Sequence, residues 1–580
     1  MRQLRQARPF FVTMEFKMEI QEKLRERIAT AAQVEPGAIH LEHPSDLLHG
    51  DIASNIALVL AKAQKENPKA LAEKIVRHIV QHQPEEVERV EVAGAGFINF
   101  YLSREFFTQS VQEALEVGEQ WGRNSTLTGK KIMVEYTDPN PFKEFHIGHL
   151  VPNIIGEAIA RLLEGSGAEV RRASYQGDVG RHVAQALWGA LQGEPPKTVA
   201  GWGAAYARGS KAFGENEAAK AEIIEINKKI YERSDERITV LYEAGKKLSL
   251  ESFEAMYARL GTKFDFYFFE SESGPVGKKL VVEYLGKVFE ESDGAVIFRG
   301  EKKGLHTRVF LNAEGLPTYE AKDLGLALLK HTRWPHEVSI SVTGNEQSDY
   351  FKVMQAALAE INPELAKKMV HIGNGLLRLP TGKMSSRTGE VVTAEWLVDE
   401  VSKKVRKKMS ERFTVSEVER PAGNEDDIIN AISVGAIKYT ILKQAVGGDI
   451  VFDFEKSVSF EGDSGPYLQY AATRAKSVLE KAQTNNQQPT TDHPTREVTE
   501  IERLLYRFPE IVERAGKEYA PHLLVTFLIQ LAGAFNSWYA KEKIIDDTPE
   551  SAYKLALTKA LHQTMVNGLW LLGIKTPEKM

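Results

Sequence analysis

The chain contains no cysteine. Disulfides and cysteine-ligated zinc are therefore excluded, and stability has to come from packed cores. No run of 18 apolar residues occurs, so no membrane span is expected. Basic residues are not in excess: 74 lysines and arginines face 80 acids, a net charge of −6. A nucleic-acid partner would have to be met by local basic patches rather than by the overall field. Arg2, Arg5 and Arg8 precede the first acid, Glu15, but the apolar run beside them, Pro9 to Thr13, is too brief for a secretory signal. This arm reads either as a short targeting segment or as sequence upstream of a start at Met14 or Met18. The 580 residues exceed what one hydrophobic core organises, so three or more domains are expected.

The rest of the chain is organised around Lys131 to Leu150. Ile132 to Tyr136 is β-branched and apolar and reads as a buried strand. A Pro/Asn turn leads to His146-Ile-Gly-His149, and Leu150, Ile154, Ile155, Ala158, Ile159, Leu162 and Leu163 then repeat at helical spacing up to Gly165. Pro152 is expected in the first turn of that helix. A second strand, Glu169 to Tyr175, ends in Gly177-Asp-Val-Gly180, which completes a βαβ unit with two histidines where its helix begins. A helix N-terminus favours phosphate. His146 and His149 can lie on one face and donate to one anion, and Gly148 lets a ring or backbone approach closely. A chance tetrapeptide is the bland alternative. Half a metal site is weaker, because no nearby carboxylate or third histidine completes a ligand set. Far downstream, Thr381-Gly-Lys-Met-Ser-Ser-Arg-Thr-Gly389 sets Lys383, two serines and Arg387 between glycines. Such a loop can close on a polyphosphate, or be no more than a solvated surface loop.

Taken together and in this order, the two stretches resemble the paired HIGH and KMSKS signatures of class I aminoacyl-tRNA synthetases. The text from Val134 to Leu150 resembles the arginyl members, whose pattern is close to VEFSSPNxAKxxHxGHL. Thr318 to Leu324, Val342 to Gln347, Gly435 to Tyr439, Val451 to Glu455, Ser459 to Gly462, Pro466 to Tyr470, Phe535 to Tyr539 and Leu571 to Met580 follow in family order. Gly50 to Asn55 and Gly94 to Phe100 extend the resemblance to nearly the whole chain. It implies a multidomain α/β protein. A small α+β N-terminal domain (18–110) would meet the outer corner of tRNA, and a HIGH/KMSKS-type Rossmann-like catalytic domain (125–395) would carry an insertion at about 191–294. A helical stem-contact region (396–464) and an all-helical anticodon-binding domain (465–580) would follow. Within the insertion, Ala221–Lys247 reads as one charged helix, and no role is evident for Glu270-Ser-Glu272.

The implied activity is arginine–tRNA ligation, with L-arginine, ATP with Mg2+ and tRNA(Arg) as substrates and no zinc or prosthetic group. A cytoplasmic, monomeric enzyme away from membranes is expected. Arginine-contacting positions fall on Glu135, Asn140, Tyr319, Asp323 and Gln347, a set of anions and amide carbonyls suited to a guanidinium. ATP contacts fall on His146, Gly148, His149, Lys383, Met384 and Ser385. His146 and His149 are assigned to the α-phosphate transition state, and Lys383 and Arg387 to the β- and γ-phosphates. Ser386 stands where KMSKS has its second lysine, and Lys143 occupies the place of the lysine that many arginyl enzymes carry just before HIGH. Lys143 is therefore expected to share the phosphate role. A further departure is Val179, where the family usually has tryptophan. Candidate tRNA contacts are Phe97, Asn99, Tyr101, Lys404, Arg406, Lys407 and Tyr539, each with an ordinary strand, solvated-helix or core reading beside it. Because of Ser386, a non-catalytic tRNA-binding paralogue is the alternative.

Overall fold

A computed structural model describes residues 15–44, 46–380, 392–415, 425–492 and 497–580. The signature residues Lys383, Met384, Ser385 and Arg387 lie outside the described residues.

The N-terminal segment folds as helix α1 (Glu15–Ala32), strands β1 (Leu41–Glu42) and β2 (Ile52–Ser54), helices α2 (Ile56–Gln64) and α3 (Pro68–Val80), strands β3 (Val87–Ala93) and β4 (Phe97–Leu102), and helix α4 (Arg104–Val117). Asn67 caps α3 and Ser103 caps α4 through side-chain oxygens, as their positions before the apolar periodicity require. The strands form one antiparallel sheet in the order β1-β2-β4-β3. Ile28, Ile56, Ile75, Ile98, Phe100 and Phe107 fill its core, together with Tyr506 from the far end of the chain. The Tyr506 ring meets Phe106 and Phe107 edge-on at 5.5 and 5.6 Å. Residues 1–125, 470–514 and 527–568 accordingly make one compact unit. The N-terminal sheet and the segment that carries Tyr506 thus share an aromatic core.

The second unit holds residues 126–469, 515–526 and 569–580. It opens with β5 (Lys131–Tyr136), α5 (Ile147–Gly165), β6 (Glu169–Gln176) and α6 (Arg181–Leu191). Three inserted helices follow, α7 (Val199–Glu215), α8 (Glu217–Glu232) and α9 (Glu236–Leu260), and then β7 (Phe266–Phe269) and α10 (Glu270–Glu283). Strands β8 (Glu290–Ser292), β9 (Ala295–Phe298) and β10 (Arg308–Leu311) make a small antiparallel sheet. The chain continues through α11 (Tyr319–Arg333), β11 (Val338–Gly344), α12 (Ser348–Ile361), α13 (Pro363–Lys367), β12 (Met369–Asn374) and β13 (Leu377–Arg378). It then runs through α14 (Ala394–Val415), α15 (Glu425–Leu442), β14 (Ile450–Val451) and α16 (Phe454–Ser457). The main sheet is wholly parallel, in the order β12-β11-β5-β6-β7. Strand order reverses at β5, which puts the ligand crevice at the carboxyl ends of β5 and β11.

Two expectations change here. The stretch 221–247 is not one helix, because Arg233 turns left-handed at φ 54° and Asp235 caps a new helix at Ile238. The insertion is also shorter than expected, since the aromatic run Phe266–Phe269 is the edge strand of the main sheet.

The carboxyl-terminal helices are α17 (Gly465–Thr484), α18 (Glu500–Leu505), α19 (Phe508–Lys517), α20 (Pro521–Lys541) and α21 (Ser551–Leu571). By length and a mean hydropathy of 1.3, α20 is long and apolar enough to cross a membrane. Its Leu524, Val525, Leu528, Leu531 and Phe535 are nonetheless fully buried, as in a core helix.

Candidate active site

The two histidines set up the start of α5. His146 is its N-cap, with extended backbone, and the Gly148 N–H donates to His146 Nδ1 at 3.1 Å. The His146 N–H donates to His149 Nδ1 at 3.3 Å, and the rings stack at 3.7 Å. Both Nδ1 atoms accept, so in neutral rings the proton sits on each Nε2, which leaves two N–H donors beside the helix N-terminus. Burial, joined by the Lys143 charge, lowers His146 to about 4. Burial, His146 and Lys143 hold His149 well below the usual range. These are neutral donors, and the formal positive charge near them comes from Lys143. Pro152 sits a turn further into α5 than expected, so the Gly148 carbonyl loses its i+4 donor.

The turn before the histidines is strained. Thr137, Asp138 and Phe142 have φ of +85°, +46° and +69°, left-handed values that non-glycine residues rarely adopt away from functional sites. The Tyr175 N–H holds Asp138 at 2.7 Å, and the Phe142 N–H donates to Ser249 Oγ at 2.9 Å.

A cavity of about 680 Å³ opens at the carboxyl ends of β5 and β11. It is lined by every expected arginine position, Glu135, Asn140, Tyr319, Asp323 and Gln347, and by His146, Gly148 and His149. Asp138, Tyr175 and Glu270, which sequence reasoning did not place there, line it as well. Six acids line it; Glu346 is exposed and Glu320 stands 3.7 Å from Arg308, and the other four fall into two kinds. Glu135 is paired with Lys330 at 2.6 Å, and Glu270 with Lys322 at 2.6 Å. Asp138 and Asp323 have no cation at ion-pair distance among the described residues; Asp323 accepts only the Tyr350 hydroxyl. Burial, with Glu135 as the next contributor, pushes Asp138 and Asp323 well above the carboxylate range. Burial raises Glu270 against the opposing pull of Lys322. Glu135, expected as an anion of the arginine-contacting set, is thus paired with Lys330 in this structure. Lys330 lies on α11 and Glu135 on β5, and neither segment by itself signals the pairing.

Asp178 of the Gly177–Gly180 turn is wholly buried. It accepts from Tyr242, Lys246 and Ser271, so it ties the β6 loop to α9 and α10. Val179, at the tryptophan departure, packs in the insertion core with Trp202 and Phe142.

Both flanks of the signature segment reach this site. Leu377 lines the cavity, and beyond the segment Val392 O accepts from the Ile147 N–H at 3.0 Å, while the Ala394 N–H donates to Phe145 O at 2.9 Å. Among the described residues no cluster of three or more His, Asp or Glu is placed to hold a metal.

The remaining expected contacts lie elsewhere. Asn99 is buried at 3% exposure, Phe97 is half-buried, and Arg89 covers the Tyr101 ring at 3.7 Å. Lys404 pairs with Glu455, Arg406 with Glu425 and Asp426, and Lys407 with Glu411, all at exposed positions where such pairs are weak. Tyr539 is 41% exposed with Arg474 over its ring at 5.0 Å, whereas Trp538 is buried.

A parallel sheet with a histidine-capped helix at its switch point, bonded to the chain at Val392 and Ala394, defines the catalytic fold of a class I aminoacyl-tRNA synthetase. Profile comparison agrees: "tRNA synthetases class I (R), catalytic domain" matches residues 110–454, "DALR anticodon binding domain" 468–580 and "Arginyl tRNA synthetase N terminal domain" 18–102. The chain belongs to the arginyl-tRNA synthetase family. The arginine–tRNA ligase of Streptococcus suis is 31% identical over 97% of this chain and 100% of its own length. That of Treponema denticola is 30% identical over 95% and 96%. The Thermus thermophilus arginyl-tRNA synthetase structure superposes with a TM-score of 0.74 at 25% identity, covering 97% of this chain and 100% of that one.

Proposed function

We propose that this cavity activates L-arginine with ATP and passes it to the terminal adenosine of tRNA(Arg). The observation that carries the reading is the pair of half-buried acids, Asp138 and Asp323, that have no cation at ion-pair distance among the described residues and line one cavity with a histidine-capped helix N-terminus. Arginine joined to AMP as the acyl-phosphate anhydride carries two positive charges, on guanidinium and α-ammonium, and no carboxylate charge, which matches two acids without a cation among the described residues. A buried charge seeks a partner of opposite sign, so the acid half selects a cationic amino acid and rejects apolar ones.

In the first step an arginine carboxylate oxygen attacks the α-phosphorus of ATP, brought in with Mg2+. The bond from that phosphorus to the bridging oxygen breaks, and pyrophosphate leaves. The Nε2–H groups of His146 and His149 donate to the α-phosphate oxygens as charge builds, and Lys143 adds a cation there. Lys383 and Arg387 are assigned to the β- and γ-phosphates. In the second step the ribose 2′-hydroxyl attacks the arginyl carbonyl, loses its proton, and AMP departs. Phe97, Tyr101, Lys404, Arg406, Lys407 and Tyr539 are assigned to tRNA, the charged ones by exchanging weak surface pairs for phosphates. Asn99 is dropped from that set because it is buried. The protein is read as a cytoplasmic, monomeric enzyme of translation.

ATP–pyrophosphate exchange with arginine, with and without tRNA(Arg), tests this. Exchange dependent on arginine is expected. Its absence in both cases, with tRNA still bound, would replace the reading by that of a binding paralogue.

A further inference from the structure

The inserted helices have no assigned part in the reaction, yet one of them holds the turn that carries Lys143. Phe142 and Lys143 are consecutive, and successive turns of α7 meet them. The Phe142 ring meets Trp202 edge-on at 5.1 Å, and Lys143 Nζ lies 4.2 Å from the centre of the Tyr206 ring. Trp202 and Tyr206 are four apart and so share a face of α7. The helix is itself locked in place. At Gly189 on α6 an added Cβ would lie 2.0 Å from Ala205 O, and at Gly209 on α7 one would lie 1.9 Å from Gln185 O, so the two backbones touch. Phe142 is further pinned by its left-handed φ and its bond to Ser249 of α9. Among the described residues no carboxylate stands within ion-pair distance of Lys143 Nζ. The ring face of Tyr206 is the partner the structure gives this ammonium.

We propose that Tyr206 is a positioning residue for adenylate formation, its ring face holding the Lys143 ammonium beside the histidine cap of α5. The insertion is then the part of the fold that aims the cation standing in for the lysine absent at Ser386. This rests on the phosphate role read for Lys143. That reading draws support from the place of Lys143, three residues before the His146 cap in the turn that leads into α5, and the Lys143 charge contributes to the lowering of both histidines. Flat ring faces attract ammonium ions through their quadrupole, and a ring does so without neutralising the charge that phosphate needs. A carboxylate at the same place would compete with the substrate.

The test is ATP–pyrophosphate exchange with the full chain and tRNA, comparing Tyr206→Leu, Tyr206→Phe, Lys143→Ala and the double variant Lys143→Ala/Tyr206→Leu. Tyr206→Leu should lower kcat roughly three- to thirtyfold with the arginine KM unchanged. Tyr206→Phe, which keeps the ring, should restore the rate to within about twofold. On the Lys143→Ala background, Tyr206→Leu should cost nothing further. A series of fluorinated phenylalanines at 206 keeps the shape while weakening the ring face, and the rate should fall with each added fluorine even if the leucine variant folds poorly. Equal losses from Tyr206→Leu with and without Lys143, or no trend with fluorination, would overturn the proposal. Loss of less than about threefold in Lys143→Ala would remove the Lys143 reading itself. A large loss there with Tyr206→Leu unaffected would remove only the positioning role.

Discussion

Glu157 is a carboxylate shut inside the parallel-sheet unit and Asp323 a half-buried one on its cavity wall, and desolvation pushes both upward. Only one of them stays up. Glu157 receives the Tyr136 hydroxyl at 2.6 Å, Arg161 Nε at 2.6 Å and Arg172 Nε at 2.8 Å, and the net result is a carboxyl below its ordinary value. Asp323 has a tyrosine hydroxyl and no cation, and it ends well above. The two lie on opposite sides of the same strand: Tyr136 carries β5 to Glu157, and its neighbour Glu135 carries β5 to the cavity. A buried acid with resident arginines is architecture, and a buried acid without one is an unfinished ion pair that a substrate completes.

The sharpest way to break this comparison is to neutralise each acid in turn. Asp323→Asn should lower kcat/KM for arginine by about a thousandfold, while thermal melting is unchanged or raised, because the charge removed had no partner. Glu157→Ala should do the reverse. It takes the carboxylate from Arg161 and leaves Arg172 only its pair with Glu164, costs about 3–5 kcal/mol of stability in denaturant titration, and leaves the arginine KM of the folded fraction near wild type. Equal melting losses in both variants would abolish the distinction. In the turn before the histidine cap, Lys143→Ala should cut adenylate formation about a hundredfold in exchange assays.

Much of this was legible in advance, and the residues show where legibility stops. The limits of β5, α5 and β6 follow from β-branched runs, a cap and a terminal glycine, all of them local. The cavity set Glu135, Asn140, Tyr319, Asp323 and Gln347 came from resemblance and is found on one cavity. What sequence did not yield is which acid has a partner. Glu135–Lys330 and Glu270–Lys322 join residues from different elements, and the pattern within either element is silent about the other. Asp138 was passed over because its importance comes from burial and a left-handed backbone, neither of which composition encodes. The break at Arg233 went unseen because charges at helical spacing run straight through it.

Two smaller effects sharpen the contrast. Arginine binding favours the ionised forms of Asp138 and Asp323, so it should release protons, and its affinity should strengthen as pH rises. Calorimetry in buffers of different ionisation enthalpy reads the release directly; no buffer dependence at neutral pH would contradict it. The histidines supply the last test. His146, His336 and His371 are all lowered to about 4, chiefly by burial. Between their unfolded value of about 6.5 and 4 the unfolded chain binds more protons, so stability is full above that window and is lost as pH falls through it. Melting temperature should decline gently from about pH 6.5 to 4, while exchange activity shows no break near 6.5 from His146.

The N-terminal sheet borrows Tyr506 for its core, and Asp51 at its edge is bound by Arg503. On the ribosome this has a timetable. The segment up to Phe107 emerges with an aromatic socket at Phe106 and Phe107 that nothing yet fills, and synthesis at about 5–20 residues per second leaves it open for tens of seconds. Strand β5 waits in the same way for β11. The chain is therefore dependent on its own completion, and a truncated product would leave the ribosome with its sticky surfaces uncovered, marked for the chaperones and proteases that survey unfinished proteins.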